Sequence, residues 1–289
     1  MSLFDVVTPR RDVLDGELTE ARFAASLEEV VAGSAPEAYG DPKAFFASTY
    51  PSGGLKSLLN ESIGRVAGGR PDAASVIRLE TNLGGGKTHT MLAVYHVASG
   101  KVAAKKMLGI PELLDKAKIK DLVRGNVAVL DGNSLAPAEP REHGRITAKT
   151  LWGELAWQLG KEDGYALVAA SDREGTSPGK DVLATLLTKY GPAVVLLDET
   201  VAYLRQFEAG RSYPGGTYNS NLSFLQALTE AAAGVPAGAA VATILLRVAS
   251  PDGVRATFGR GADKDVPGLS GLTGALRRAG VAVRRAPAS

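Results

Sequence analysis

The sequence predicts an α/β fold in three layers, α/β/α, around a parallel central sheet. Three observations predict it. Short, nearly continuous apolar runs at 75–79, 126–130, 193–197 and 240–245 alternate with segments of helical pattern, as strands buried on both faces do. A glycine cluster, Gly84-Gly85-Gly86, separates the first run from the helix pattern after it. The most apolar run, Ala193-Val194-Val195-Leu196-Leu197, closes on the acidic pair Asp198-Glu199, and ligands of parallel sheets sit outside the carboxyl ends of strands.

Taken in order, residues 1–16 read as an irregular lead-in. Leu18, Phe23, Leu27, Val30 and Val31 fall at helical spacing over 17–32, with Thr19 as a cap. Pro36 and Pro42 punctuate the next stretch. Residues 45–51 lead into a helix carrying Leu55, Leu58, Leu59 and Ile63 on one face and running out near Gly68-Gly69. The first strand and glycine loop follow, then a helix through Met91, Leu92, Val94 and Tyr95. A short charged helix is expected over 111–122, a strand over 126–130 ending at Asp131-Gly132, and a loop over 133–148. Helices at 149–159 and 180–189 precede the acidic strand. Beyond it come a helix to about Phe207, a loop over 209–219, a helix over 220–233 and a last strand at 240–245. The expected organisation is a mostly helical lead-in (1–70) packed on a core (71–246), followed by a tail (247–289).

Composition narrows the function classes. The chain has 289 residues, 45% hydrophobic and 22% charged, with net charge +2, the balance of an ordinary globular protein without a nucleic-acid footprint over its whole surface. Without cysteine there is no disulfide and no thiolate ligand or nucleophile. His89, His96 and His143 are too scattered for a zinc centre. No apolar run reaches membrane-spanning length and no signal-peptide core opens the chain, so a cytoplasmic protein with no membrane partner is expected.

The glycine loop carries the chemistry. It reads Glu80-Thr81-Asn82-Leu83-Gly84-Gly85-Gly86-Lys87-Thr88-His89-Thr90. The strict phosphate-loop pattern asks for glycine at 81, where this chain has threonine. Three consecutive glycines still let the backbone curl and turn its amides inward. Residues 81–89 are therefore expected to hold the phosphates of ATP. Lys87 would contact the β- and γ-phosphates, and Thr88 would ligate Mg²⁺ through its hydroxyl at the positive end of a helix. A plain glycine-rich turn is the alternative, and the strand–loop–helix context argues against it. His89 reads as part of the first helical turn.

Asp198 and Glu199 should face that loop. Asp198 is expected to hold Mg²⁺, directly or through water, and Glu199 to act as general base on the attacking water; the alternative is an acidic helix start favoured by the dipole alone. A strand at 126–130 between loop and acidic pair fits the additional-strand, AAA-like branch of P-loop NTPases, which uses a glutamate for hydrolysis. Thr243 or Arg247 would be the sensing residue near the γ-phosphate. Arg205 and Arg211 are candidates for a finger reaching a neighbouring subunit, though solvated arginines are the simpler reading. Tyr203, Phe207 and Trp152 read as packing, and Trp157 lies on a different face from Trp152.

The run from Thr8-Pro9-Arg10 through Phe23-Ala24-Ala25-Ser26-Leu27, then Phe45-Phe46-Ala47-Ser48-Thr49-Tyr50-Pro51 and Gly54-Leu55-Lys56, resembles the large prokaryotic AAA-like ATPases of the domain-of-unknown-function-499 type. So do Leu79-Glu80-Thr81 with Gly84 to Thr90, Leu151-Trp152-Gly153-Glu154, Leu196-Leu197-Asp198-Glu199, and Phe224-Leu225-Gln226-Ala227-Leu228-Thr229-Glu230. The similarity covers about residues 5–240. Lys87, Thr88, Asp198 and Glu199 match the family's nucleotide-site residues. Family members are usually longer and often encoded beside DNA methylase and helicase genes, in loci suspected of phage defence. The resemblance thus implies Mg²⁺-dependent ATP hydrolysis coupled to conformational work. It also implies a DNA methylase, a helicase or DNA itself as partner, and a homo-oligomer as the assembly in which a finger would act.

From Arg247 onward the composition changes. Seven arginines and Lys264 face three acidic residues, and Phe258 is the sole aromatic. A disordered basic tail, a nucleic-acid-binding arm, and the aberrant end that a shifted reading frame in a GC-rich gene would give all fit that composition. Besides hydrolysis, two other readings of the chain stay open: a nucleotide-binding switch or assembly subunit with little turnover, and a non-functional fragment of a longer ATPase.

Overall fold

The computed structural model describes residues 8, 14–15, 25–70, 72–79, 86–116, 119, 124–235 and the backbone of 242–247. Outside them lie the expected cap at Thr19, Thr81, Asn82, Leu83, Gly84 and Gly85 of the loop, residues 120–122, the side chains of Thr243 and Arg247, and the tail from 248.

Four strands form one parallel sheet: β1 (Val76–Leu79), β2 (Asn126–Asp131), β5 (Ala193–Asp198) and β6 (Ala242–Arg247), in the spatial order β1-β6-β5-β2. The alternation of side chains along a strand splits the apolar residues between two cores. In β5, Ala193, Val195 and Leu197 join one core while Val194 and Leu196 join the other; in β2, Ala128 and Leu130 oppose Val129.

The first core receives helices from before and after β1. These are α1 (Leu27–Ala32), α2 (Glu37–Gly40), α3 (Pro42–Ser48), α4 (Gly53–Val66), α5 (Lys87–Ser99) and α6 (Ile110–Lys116). Leu27, Phe45, Leu59, Ile63, Met91 and Leu92 are fully or almost fully buried there. Local sequence sets the boundaries. Ser26 caps α1 by accepting from Glu29 N, Asp41 caps α3 by accepting from Lys43 N and Ala44 N with Pro42 at the first position, and Ser52 caps α4. Helix α5 is buried on nearly every side from Met91 to Ser99, the pattern of an internal helix.

The second core lies across the sheet. It is built by α7 (Leu151–Ala166), α8 (Ala169–Glu174), α9 (Lys180–Lys189), α10 (Thr200–Leu204) and α11 (Tyr218–Gly234), with Trp152 and Phe224 in contact at its centre. From β1 the chain crosses to β2 at the far edge, then returns through β5 to β6. Because crossovers keep one hand, this reversal of direction sends the helices after β2 and β5 to the opposite face from α5. Helices cover both faces of a mixed α/β fold.

Several expectations shift. The loop expected over 133–148 contains a hairpin, β3 (Arg141–His143) against β4 (Ile146–Ala148), turned at Gly144 with φ 67°; strands of three residues are too short to show an alternation. The helix expected over 149–159 breaks at Lys161, where φ 52° and ψ −140° are non-helical, and a second helical piece carries α7 on to Ala166. The helix after β5 stops at Leu204 instead of Phe207, and β6 runs 242–247, so Arg247 is its last residue. At the outer edge of the sheet, the Gln158 amide accepts from Val129 N at 2.7 Å and donates to Val129 O at 2.8 Å, closing β2 where another strand would pair. Among the described residues no helix is long and apolar enough to cross a membrane.

Candidate functional site

All four strands run the same way, so Leu79, Arg247, Asp198 and Asp131 end at one edge of the sheet. The register sets Leu79 beside Arg247 and Asp131 beside Asp198. β1 hands the chain to α5 on one face, and β5 hands it to α10 on the other. The crevice between strands whose chains leave in opposite directions is where open α/β sheets take ligands.

Helix α5 begins at that edge. Gly86 occupies its N-cap in the left-handed region, φ 67° and ψ 22°, a conformation glycine adopts without steric cost, and it has no side chain with which to cap the helix. No acidic residue stands in the first turn. The dipole of a 13-residue helix favours an anion at this end. Lys87, only 8% exposed, and the half-buried Thr88 open the helix. Thr88 Oγ1 donates to Asp198 Oδ2 at 3.4 Å, joining residues 110 positions apart.

Asp198 is 2% exposed and its carboxylate is fixed on both oxygens. Oδ2 accepts from Thr88, and Oδ1 accepts from the Glu199 amide at 3.0 Å. Glu199 itself is held at φ 45° and ψ 34°, the left-handed region that a non-glycine residue enters at a cost of about 1 kcal/mol. Its carbonyl accepts from Ala202 N and Tyr203 N as α10 starts. On the other side sits Gly132, whose amide donates to Asp198 O at 2.9 Å. A β-carbon on Gly132 would run into the Glu199 carbonyl and press on Tyr203. The strained residue is therefore packed in from two directions, and its half-buried side chain projects from a pinned backbone.

This donor set fits a phosphate with a hard divalent cation. A hydroxyl and one carboxylate are oxygen ligands, and Mg²⁺ is commonly held by one or two carboxylates plus substrate phosphates instead of an all-protein cage. No group of three or more His, Asp or Glu side chains suited to a metal occurs among the described residues.

The remaining candidates divide. His89 does more than fill a helical turn: its ring stacks on Phe45 at 4.4 Å and its Nε2 lies 2.9 Å from Thr49 Oγ1. Thr49 gives its one hydroxyl proton to Phe45 O, so His89 Nε2 is the donor. Arg205 and Arg211 are exposed and line a cleft of about 510 Å³ with Phe207, Glu208 and Tyr218; that cleft shares no residue with Lys87, Thr88, Asp198 or Glu199. Arg211 pairs with Glu208 on the surface at 3.5 Å. Tyr203 is buried, and Phe207 packs against it at 5.5 Å. Trp152 is core, whereas Trp157 stacks on His143 at 3.5 Å with Lys161 over its ring at 3.7 Å.

Sequence reasoning passed over Asp131 and Gly132 as site residues. The signal was available, because a second strand also ends in an acidic residue at the same edge. The approach of Gly132 to Glu199 had no such signal, since it follows from strand pairing.

Residues 3–258 match the model of the DUF499 N-terminal domain, a span that runs past residue 240, where the motif resemblance stopped. None of the curated proteins matches the chain.

Proposed function

The chain belongs to the DUF499 N-terminal domain family, and from that premise we propose that it is a P-loop NTPase of the additional-strand, AAA-like branch that binds ATP with Mg²⁺ and hydrolyses it. One observation carries the reading: the hydrogen bond from Thr88, in the first turn after the glycine loop, to Asp198, at the end of the acidic strand. The strand order lends support, because β6 lies between the loop-bearing β1 and the acidic β5 and leaves their ends facing across one strand's width.

The division of labour follows from position. Loop residues 81–86 and the opening amides of α5 cradle the phosphates, and Lys87 meets the charge that develops on the β- and γ-oxygens. Thr88 and Asp198, hydrogen-bonded to each other, would supply the oxygen ligands. Bound there, the cation would neutralise phosphate charge in the transition state. Glu199, one residue beyond Asp198, accepts a proton from the attacking water as general base. Hydrolysis would drive conformational work in the assembly that the protein serves.

The test is ATP binding and turnover by the 289-residue chain beside two variants. Lys87→Ala should lose binding and turnover together. Glu199→Gln should keep binding and lose turnover by about 10²-fold or more, within the range of removing a general base. Binding without turnover in the unaltered chain would establish a nucleotide-gated switch instead. Absence of binding in a folded chain would end the reading.

A further inference from the structure

Next to Thr49, which is tied to the first turn of α5 through His89, a large aromatic side chain packs on none of the described residues' aromatic rings and stands in solvent. Tyr50 is 85% exposed, the most exposed of the large hydrophobic residues described. Its backbone, by contrast, is fixed on both sides. Thr49 before it accepts from His89 Nε2 at 2.9 Å and donates to Phe45 O at 2.6 Å. Tyr50 O accepts from Ser52 N at 2.8 Å, and Ser52 caps α4 through Leu55 N. The chain is thus anchored to His89, the residue next to Thr88, while the Tyr50 ring stays in solvent. Burying a tyrosine is favourable, and a ring held in solvent at an anchored position is available to a ligand.

We propose that Tyr50 is the stacking platform for the base of the nucleotide bound at the α5 loop, so that the site takes a nucleoside triphosphate in preference to a bare polyphosphate. The inference rests on the phosphate-site reading above. With its phosphates at Lys87 and Thr88, a nucleotide would extend its base past the first turn of α5. That turn is bordered by His89, and through His89 by Thr49 and Tyr50. Every base has a π-face, so an aromatic ring on this border contributes affinity without reading the edge of the base. Phe45 and Tyr39 cannot serve, because Phe45 is fully buried against the His89 ring and Tyr39 meets that ring edge-on. The role is one of positioning and affinity; phosphate chemistry stays with Lys87, Asp198 and Glu199.

The experiment compares two probes, ATP and inorganic tripolyphosphate, each with Mg²⁺, on the full chain and on Tyr50→Ala, Tyr50→Phe and Lys87→Ala. Tyr50→Ala should weaken ATP binding about 5- to 150-fold, the range for loss of one stacked base, and leave tripolyphosphate binding unchanged. Tyr50→Phe should restore ATP affinity, and Lys87→Ala should weaken both probes. If Tyr50→Ala binds ATP as the unaltered chain does, or loses both probes equally, the stacking role is wrong while the phosphate site stands. If the unaltered chain binds neither probe, the phosphate-site reading and the stacking role fall together. An exposed side chain carries little of the fold, so the melting temperature of Tyr50→Ala should match that of the unaltered chain and keep the comparison clean.

Discussion

Glu199 shows at the scale of one residue how the site is built at the expense of stability. Its left-handed backbone would suit glycine, and only the close approach of Gly132 and the start of α10 keep glutamate there. Glu199→Gly should therefore raise stability by about 1 kcal/mol while abolishing turnover, a pairing checked by thermal melting and an ATPase assay on the same sample. Gly132→Ala should do the reverse of the first effect, losing about 1–3 kcal/mol as the new methyl group forces the Glu199 backbone away, with turnover falling because the general base moves. A Gly132→Ala variant as stable as the unaltered chain would show that the contact yields easily. The roles of Lys87, Thr88, Asp198 and Glu199 could be argued from residue type and position. The strain could not, because it arises where β2 and β5 meet and the two residues lie far apart in the sequence.

Between elements, the most informative joint is the docking of α2 and α3 on α5. His96 is fully buried, and its Nε2 donates to Tyr39 O at 2.7 Å while Nδ1 has no partner in the fold. A proton added to Nδ1 would find no acceptor, and burial lowers the pKa of His96 and of His89 alike. Lys101 and His89 push His96 further down, whereas the Tyr39 carbonyl and Asp41 pull it up. With folded pKa values depressed below the ordinary 6.5, the unfolded chain binds more protons in acid. The stabilisation is complete above about pH 6.5 and declines as pH falls through the folded values. Lowering the pH from 7.5 to 5.5 should reduce the melting temperature and expose residues 37–49 to proteolysis, and His96→Gln should blunt that dependence. An unchanged pH profile in His96→Gln would remove His96 as its cause. The spacing of Leu55, Leu58, Leu59 and Ile63 announced α4, whereas α2 and α3 fall where the sequence reads as a proline-punctuated stretch and a lead-in; that two histidines would fasten them to the loop helix was hidden, since His89 and His96 look from sequence like ordinary residues of α5. The hairpin at 141–148 was hidden for another reason: its strands are only three residues long.

Over the whole molecule, the parallel sheet and its covering helices were legible because mostly apolar strands of four to six residues between helical patterns leave few other readings. The order β1-β6-β5-β2 was not, since nothing local says which strands are neighbours; it emerges from crossover handedness and from which faces need covering. Nor did the sequence reveal Asp172, fully buried while accepting hydrogen bonds from Thr150 and Tyr165, because such a hub joins segments that only the fold brings together. The sheet divides the interior in two, and it divides the candidate site as well. Lys87 and Thr88 ride on a helix embedded in one core, while Glu199 opens a helix seated in the other. Loosening either side should therefore leave a different signature. Leu92→Ala, at a cost of about 2–5 kcal/mol, should chiefly weaken nucleotide affinity, and Phe224→Ala, at about 3–5 kcal/mol, should chiefly slow turnover; equal losses in both measurements from both variants would contradict this partition. A body made of two blocks that meet along one seam, with grip on one block and reactivity on the other, is a lever with its fulcrum in the sheet. A load that tilts one block against the other would be felt first at the hydrogen bond between Thr88 and Asp198.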